Sequence, residues 1–137
     1  MVLFGSLRSR SAMHVLFGFY YELRAAAYLK ETTGVAPTFL GKYVPPAKTA
    51  AGKAMTSTDI DIIHQGVYYQ VKRSERSFKR LADVKKWVEK TKHYAQTVDG
   101  VSAPVIKYIT QDPSKIPQKI KAYFVKEGIL VIPLAGP

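Results

Sequence analysis

Residues 58–72 read "TDIDIIHQGVYYQVK". Two runs rich in β-branched and aromatic residues flank His64-Gln65-Gly66, which predicts a β-hairpin turning at those three positions. Side chains alternate along a strand, so Asp59, Asp61 and Ile63 are expected on one face of the first arm. Gln70 and Lys72 are expected on one face of the second. Closing the hairpin brings carboxylates, an amide oxygen and an ammonium towards one point. Oxygen donors of this kind suit Mg²⁺, which binds through one or two carboxylates plus waters and phosphate oxygens. The plainer alternative is a polar strand face with ordinary surface charges.

Glu22 bears on that choice. It lies within the apolar run of a predicted helix over Ser11–Glu31, one turn from Gly18, Phe19, Ala25 and Ala26. A carboxylate facing a buried stripe is costly unless it is paired or metal-bound. In that helix Val15, Leu16, Phe19, Leu23, Ala26 and Ala27 are the expected inner stripe, and Gly34 the stop. Gly18 costs about 1 kcal/mol inside a helix and is expected to mark a close contact.

Residues 35–57 hold Pro37, Gly41, Pro45, Pro46 and Gly52, which predicts one strand near Thr38–Val44 and then a basic loop carrying Lys48 and Lys53. After the hairpin, Ser77–Gln96 reads as a second helix with Phe78, Leu81, Val84, Val88, Thr91 and Ala95 inward. Trp87 and Tyr94 are expected to pack. A strand at Val105–Thr110, a break at Asp112-Pro113, a helix from Pro117 to Lys126 and a strand over Ile129–Leu134 complete the order α-β-β-β-α-β-α-β. This is the pattern of an α/β chain, an α+β mixed sheet with helices on both faces. Residues 1–11 read as a lead-in, the cut end of a longer parent chain, and 12–137 as one domain.

The chain has 137 residues, 47% hydrophobic, enough for a single core without staples. With no cysteine it has no disulfide, no thiolate zinc site and no cysteine nucleophile. Folding without disulfides fits the cytosol, and equally a domain that unfolds to cross a membrane. No stretch approaches a membrane-spanning helix. Twenty-one Lys plus Arg against ten Asp plus Glu give +11, a field that attracts polyanions. Between Lys72 and Lys92 nine basic residues face three acids. Arg73, Arg76, Lys79, Lys86 and Lys90, with Lys48 and Lys53, are candidate phosphate contacts, and Lys79, Lys86 and Lys90 are expected on one outer face. His64 and His93 lack zinc spacing and are expected in turns or at the surface.

Glu22 on a first helix, Asp61 followed by "IIHQG" and then "YYQVKRS" resemble the PD-(D/E)XK nuclease superfamily in a Q-x-K form. The resemblance spans residues 12–134 and implies a restriction-endonuclease-like core. It also implies a Mg²⁺- or Mn²⁺-dependent endonuclease. Asp61, Gln70 and Glu22 would hold metal, Lys72 would activate the nucleophile, and Asp59 would be the extra acid of members with "[DE]-x-D" before two apolar residues. Gln70 departs from the usual acid, keeping an acceptor oxygen and losing a charge. Small basic cysteine-free members include toxin domains of contact-dependent growth inhibition. Such domains cut tRNA or DNA in the cytoplasm of a target cell and are neutralised by an acidic immunity protein. The alternatives are a Holliday-junction-resolvase-like DNA repair nuclease, which would be cytoplasmic, and a non-catalytic nucleic-acid-binding module on the same fold.

Overall fold

In the computed structural model, which describes residues 10–74 and 77–135, the chain begins with α1 (Arg10–Thr33) and β1 (Phe39–Val44). Two short strands follow, β2 (Ala47–Lys48) and β3 (Ala54–Met55), then β4 (Thr58–His64) and β5 (Val67–Lys72). The remainder is α2 (Leu81–Thr97), β6 (Val105–Thr110), a 3₁₀ turn at Pro113–Lys115, α3 (Gln118–Glu127) and β7 (Leu130–Pro133). Five strands form one mixed sheet in the order β1-β4-β5-β6-β7. β1, β4 and β5 are antiparallel, while β5, β6 and β7 run parallel. Among the described residues no helix is long and apolar enough to cross a membrane.

The β4–β5 turn is tighter than expected. Only Gln65 (φ +49°) and Gly66 (φ +75°) lie outside the strands. Two left-handed residues make the turn whose twist suits antiparallel strands, and glycine takes the second without a Cβ clash. His64 is therefore the last residue of β4 and not part of the turn or the surface. It is buried, and its Nε2–H donates to the Val35 carbonyl at 2.8 Å, tying β4 to the segment after α1.

The sheet is covered on both faces, as the mixed order predicts. On one side Tyr21, Ala25, Ala26 and Leu29 of α1 pack on Ile62, Tyr69, Val71 and Ile109. On the other, α2 and α3 close over Ile60, Tyr68, Ile106 and Tyr108 through Val84, Trp87, Val88, Ile120 and Phe124. The α2 stripe is as the 3.6-residue period predicts, with Val84, Val88, Thr91 and Ala95 inward and Trp87 and Tyr94 buried beside them.

Several expectations need correction. The α1 stripe holds only at Ala26: Phe19, Leu23 and Ala27 are exposed, and the side chains of Val15 and Leu16 lie outside the described residues. Apolar residues surround α1, so periodicity did not single out a face. The sheet chose small Ala25 and Ala26 for close approach, and the Tyr21 hydroxyl donates to the Leu134 carbonyl at 2.8 Å. Gly18 is no close contact, because a Cβ there would meet nothing within 4 Å. The helix takes in Arg10 and Ser11, so the lead-in is shorter than 1–11, and residues 1–9 lie outside the described residues. The loop over 35–57 contains the β2–β3 hairpin, docked against α2 by a Lys90 Nζ bond to Thr56 Oγ1 at 2.7 Å. α2 begins at Leu81 and not at Ser77, so Phe78 reaches the core from the segment before the helix.

Candidate active site

Strict alternation fails at Asp61, and that failure builds the site. Ile60 and Ile63 face the α2 side while Ile62 faces α1. The β1–β4 pairing skips Gly41 and Asp61, and Gly41 sits at φ +63°, a conformation in which a Cβ would be strained. On the other edge the β4–β5 pairing runs only from His64–Val67 to Ile62–Tyr69. Beyond it the strands part, and the Asp61 carboxylate takes the place of a ladder partner, accepting from the Val71 N–H at 2.8 Å. Asp59, Asp61 and Ile63 thus do not form the single face that simple alternation predicts.

Glu22 meets Asp61 from the other element. The face of α1 carrying Gly18, Ala25, Ala26 and Leu29 also carries Glu22, three or four residues from its neighbours. The two carboxyls hydrogen-bond each other. Burial pushes Glu22 up to about 7, with the charge of Asp61, their hydrogen bond and the charge of Asp59 adding to the rise. Burial likewise pushes Asp61 up to about 6, against the Val71 N–H, the Lys72 ammonium and the Glu22 bond, which favour its anion. Both carboxyls are thus raised by burial and by each other, and the pair shares a proton. Asp59 is exposed near the start of β4, and its backbone carbonyl accepts from Trp87 Nε1 at 2.8 Å.

Lys72 is half-buried and opens onto two cavities. The larger, of 1010 Å³, is walled by Glu22 and Gly18 of α1, the chain after β5 and the loop after β6. The smaller, of 50 Å³, holds Gln70 and Lys72 beside Tyr108, the β6 residue paired with Gln70. The Tyr108 phenol is pushed upward by burial first, then by Tyr123 and Asp61, which puts Asp61 within electrostatic reach of the Gln70 cavity. Gln70 Oε1 is buried with no hydrogen-bond partner in the structure. A buried acceptor left unpaired costs about 1–3 kcal/mol.

These observations bear on whether a divalent cation fits. Two carboxyls that share a proton are a pair that could hold a cation, whereas the unpartnered Gln70 oxygen belongs to the smaller cavity, which Glu22 and Asp61 do not line. Among the described residues no group of three His, Cys, Asp or Glu side chains is placed to hold a metal ion. A cation held by the carboxyl pair alone would have most of its shell left to water and substrate, as Mg²⁺ sites commonly do.

The expected phosphate contacts separate into two groups. Arg73 and Lys79 line the large cavity, on the chain between β5 and α2. Lys53 and Lys90 meet instead where the β2–β3 hairpin touches α2, with Lys53 Nζ 3.7 Å from Glu89. Lys48, Lys53, Lys86 and Lys90 do not line the large cavity, and Lys79 precedes α2, so Lys79, Lys86 and Lys90 do not share one helix face. Arg76 lies outside the described residues. Sequence reasoning missed Lys115, which reaches the same cavity from the loop after β6. The Asp112-Pro113 break was the only signal there. No family model, curated protein or solved structure matches the chain.

Proposed function

We propose that the chain is a metal-dependent nuclease hydrolysing phosphodiester bonds, a Q-x-K form resembling the PD-(D/E)XK superfamily on a restriction-endonuclease-like core. One observation carries the reading: Glu22, whose carboxyl pairs with that of Asp61 behind it, lines with Lys72 a cavity rimmed by Arg73, Lys79 and Lys115. The acidic wall suits a cation and the basic wall a polyanion.

Asp61 and Gln70, with the Val71 carbonyl, would hold Mg²⁺ or Mn²⁺, and Glu22 a second ion or a water. Such an ion supplies Lewis-acid stabilisation of phosphoryl charge and lowers the pKa of water. The protein's own part is positioning. Arg73 and Lys79 neutralise phosphates at the rim. Lys72 orients the attacking water, which adds to phosphorus in line and releases a proton to solvent as the bond to the leaving oxygen breaks and that oxygen takes up a proton in turn. Asp61 is kept in place by the Val71 N–H.

Charge and the resemblance favour a toxin domain cutting tRNA, or DNA, in the cytoplasm of a target cell and bound by an acidic immunity protein. Cleavage of total RNA and plasmid DNA, side by side with Mg²⁺ or Mn²⁺, tests the nuclease and tells the substrates apart. Asp61→Ala and Lys72→Ala are expected to lose cleavage by at least about 100-fold while remaining folded. Full activity in EDTA would sink the metal-dependent reading. Because Gln70 brings no charge and, among the described residues, no third carboxylate completes a metal-holding group, a binding module without catalysis is the second reading. Nucleic-acid binding with no cleavage under either ion would favour it.

A further inference from the structure

The large cavity opens where parallel strands end. β5 and β6 run side by side, with Lys72 opposite Thr110, and the chain leaves both strands into the cavity wall. Ligands of open α/β sheets bind outside the carboxyl ends of parallel strands, where the connecting loops diverge. The β5 loop brings Arg73 and Lys79. The β6 loop brings the turn Asp112–Lys115, which no motif in the sequence marks as functional.

That turn is built to be rigid. The Asp112 carboxylate accepts from Ser114 N at 3.1 Å and from Ser114 Oγ at 2.6 Å. Lys121 Nζ, from α3, donates to the Ser114 carbonyl at 2.6 Å. Pro113 opens the 3₁₀ turn, and buried Ile116 plugs its far end into the core. Beside it, Leu134 N donates to the Thr110 carbonyl at 2.9 Å, pinning the strand end from which the loop departs. Asp112 lines the cavity too, but its carboxylate is engaged by Ser114 and flanked by Lys115 and Lys121, so it faces the cavity largely compensated. The exposed ammonium of Lys115 is the group this scaffold presents.

We propose that Lys115 is a positioning residue that binds a backbone phosphate of the nucleic-acid strand other than the one being cleaved. Strand ends and turn together hold it on the cavity wall formed by the β6 loop. The inference rests on the proposed nuclease function and extends it: substrate is gripped from both loops, by Arg73 and Lys79 on one side and Lys115 on the other. Clamping the strand at two points fixes the reacting phosphate against Lys72.

Fluorescence anisotropy of the full chain with a labelled single-stranded RNA, in EDTA across a salt series, tests it. Each phosphate contact adds about 0.7 to the slope of log affinity against log salt on a single strand. Lys115→Gln is expected to lower the slope by about that amount, and Lys115→Arg to keep it. Lys126→Gln, an exposed lysine of α3 that does not line the cavity, is expected to change little. A Lys115→Gln slope equal to the parent's, or an equal loss in Lys126→Gln, overturns the proposal. Cleavage by the parent chain under Mg²⁺ is scored separately, so a missing activity strikes the nuclease reading while the slope reports on Lys115.

Discussion

Gln70 and Asp61 show how one side chain is placed by what its backbone gives up. Asp61 leaves the regular ladder, and its carboxylate stands in for the missing β4 partner of Val71. Gln70, on the opposing arm, keeps a buried oxygen with nothing to accept from. If that oxygen is a ligand, Gln70→Ala slows cleavage and raises the Mg²⁺ concentration needed for half-maximal rate, while Gln70→Glu lowers it by restoring a charge. A Mg²⁺ titration of activity checks both. A Gln70→Ala variant that cleaves like the parent would remove Gln70 from the donor set.

Among the elements, α2 was legible and α1 was not, for the same reason. α2 alternates lysines and glutamate with a single apolar stripe, so its moment has one direction. α1 is apolar around most of its circumference, and the sheet decides which side it buries. The clue that did survive was Glu22: its turn-neighbours Ala25 and Ala26 are buried, and it is half-buried with them. α2 also supports the site directly, because Trp87 Nε1 holds the Asp59 carbonyl and so the start of β4. Trp87→Phe keeps most of the packing and removes that bond. A loss of about 1 kcal/mol in unfolding free energy is expected from urea denaturation, with a lower cleavage rate as the Asp59–Asp61 segment loosens. Unchanged stability and rate would show the bond to be idle.

The fold as a body is tuned against its own site. Glu22 and Asp61 titrate at about 7 and about 6 when folded, above their ordinary 4.5 and 3.8. The folded chain therefore holds more protons than the unfolded chain between those values. Stability from this pair is complete below the ordinary carboxylate range and is lost as pH rises through about 6 and 7. Without divalent ions the melting temperature should fall over that window, by about 4 °C for each kcal/mol lost. Asp61→Asn should flatten the fall, since the amide cannot ionise. Mg²⁺ should raise the melting temperature most on the alkaline side, where the carboxylates are free to bind it. Calorimetry of parent and variant with and without Mg²⁺ measures this, and a melting temperature independent of pH across the window would contradict the proton-sharing pair.

Local chemistry was enough to determine the strands of the hairpin to within a residue of its turn, the inward stripe of α2, the order of the helices and the five strands of the main sheet, and the surplus of positive charge. Each follows from periodicity, turn stereochemistry or composition, which act over a few residues. Long-range packing decided the rest. It chose the buried face of α1, buried His64 at the end of β4 against the segment after α1, and folded β2 and β3 into a hairpin against α2. It also parted β4 from β5 at Asp61 and brought Lys115 to the cavity that holds Glu22 and Lys72. Those placements depend on which surfaces meet once the sheet has formed, and no window of sequence contains both partners.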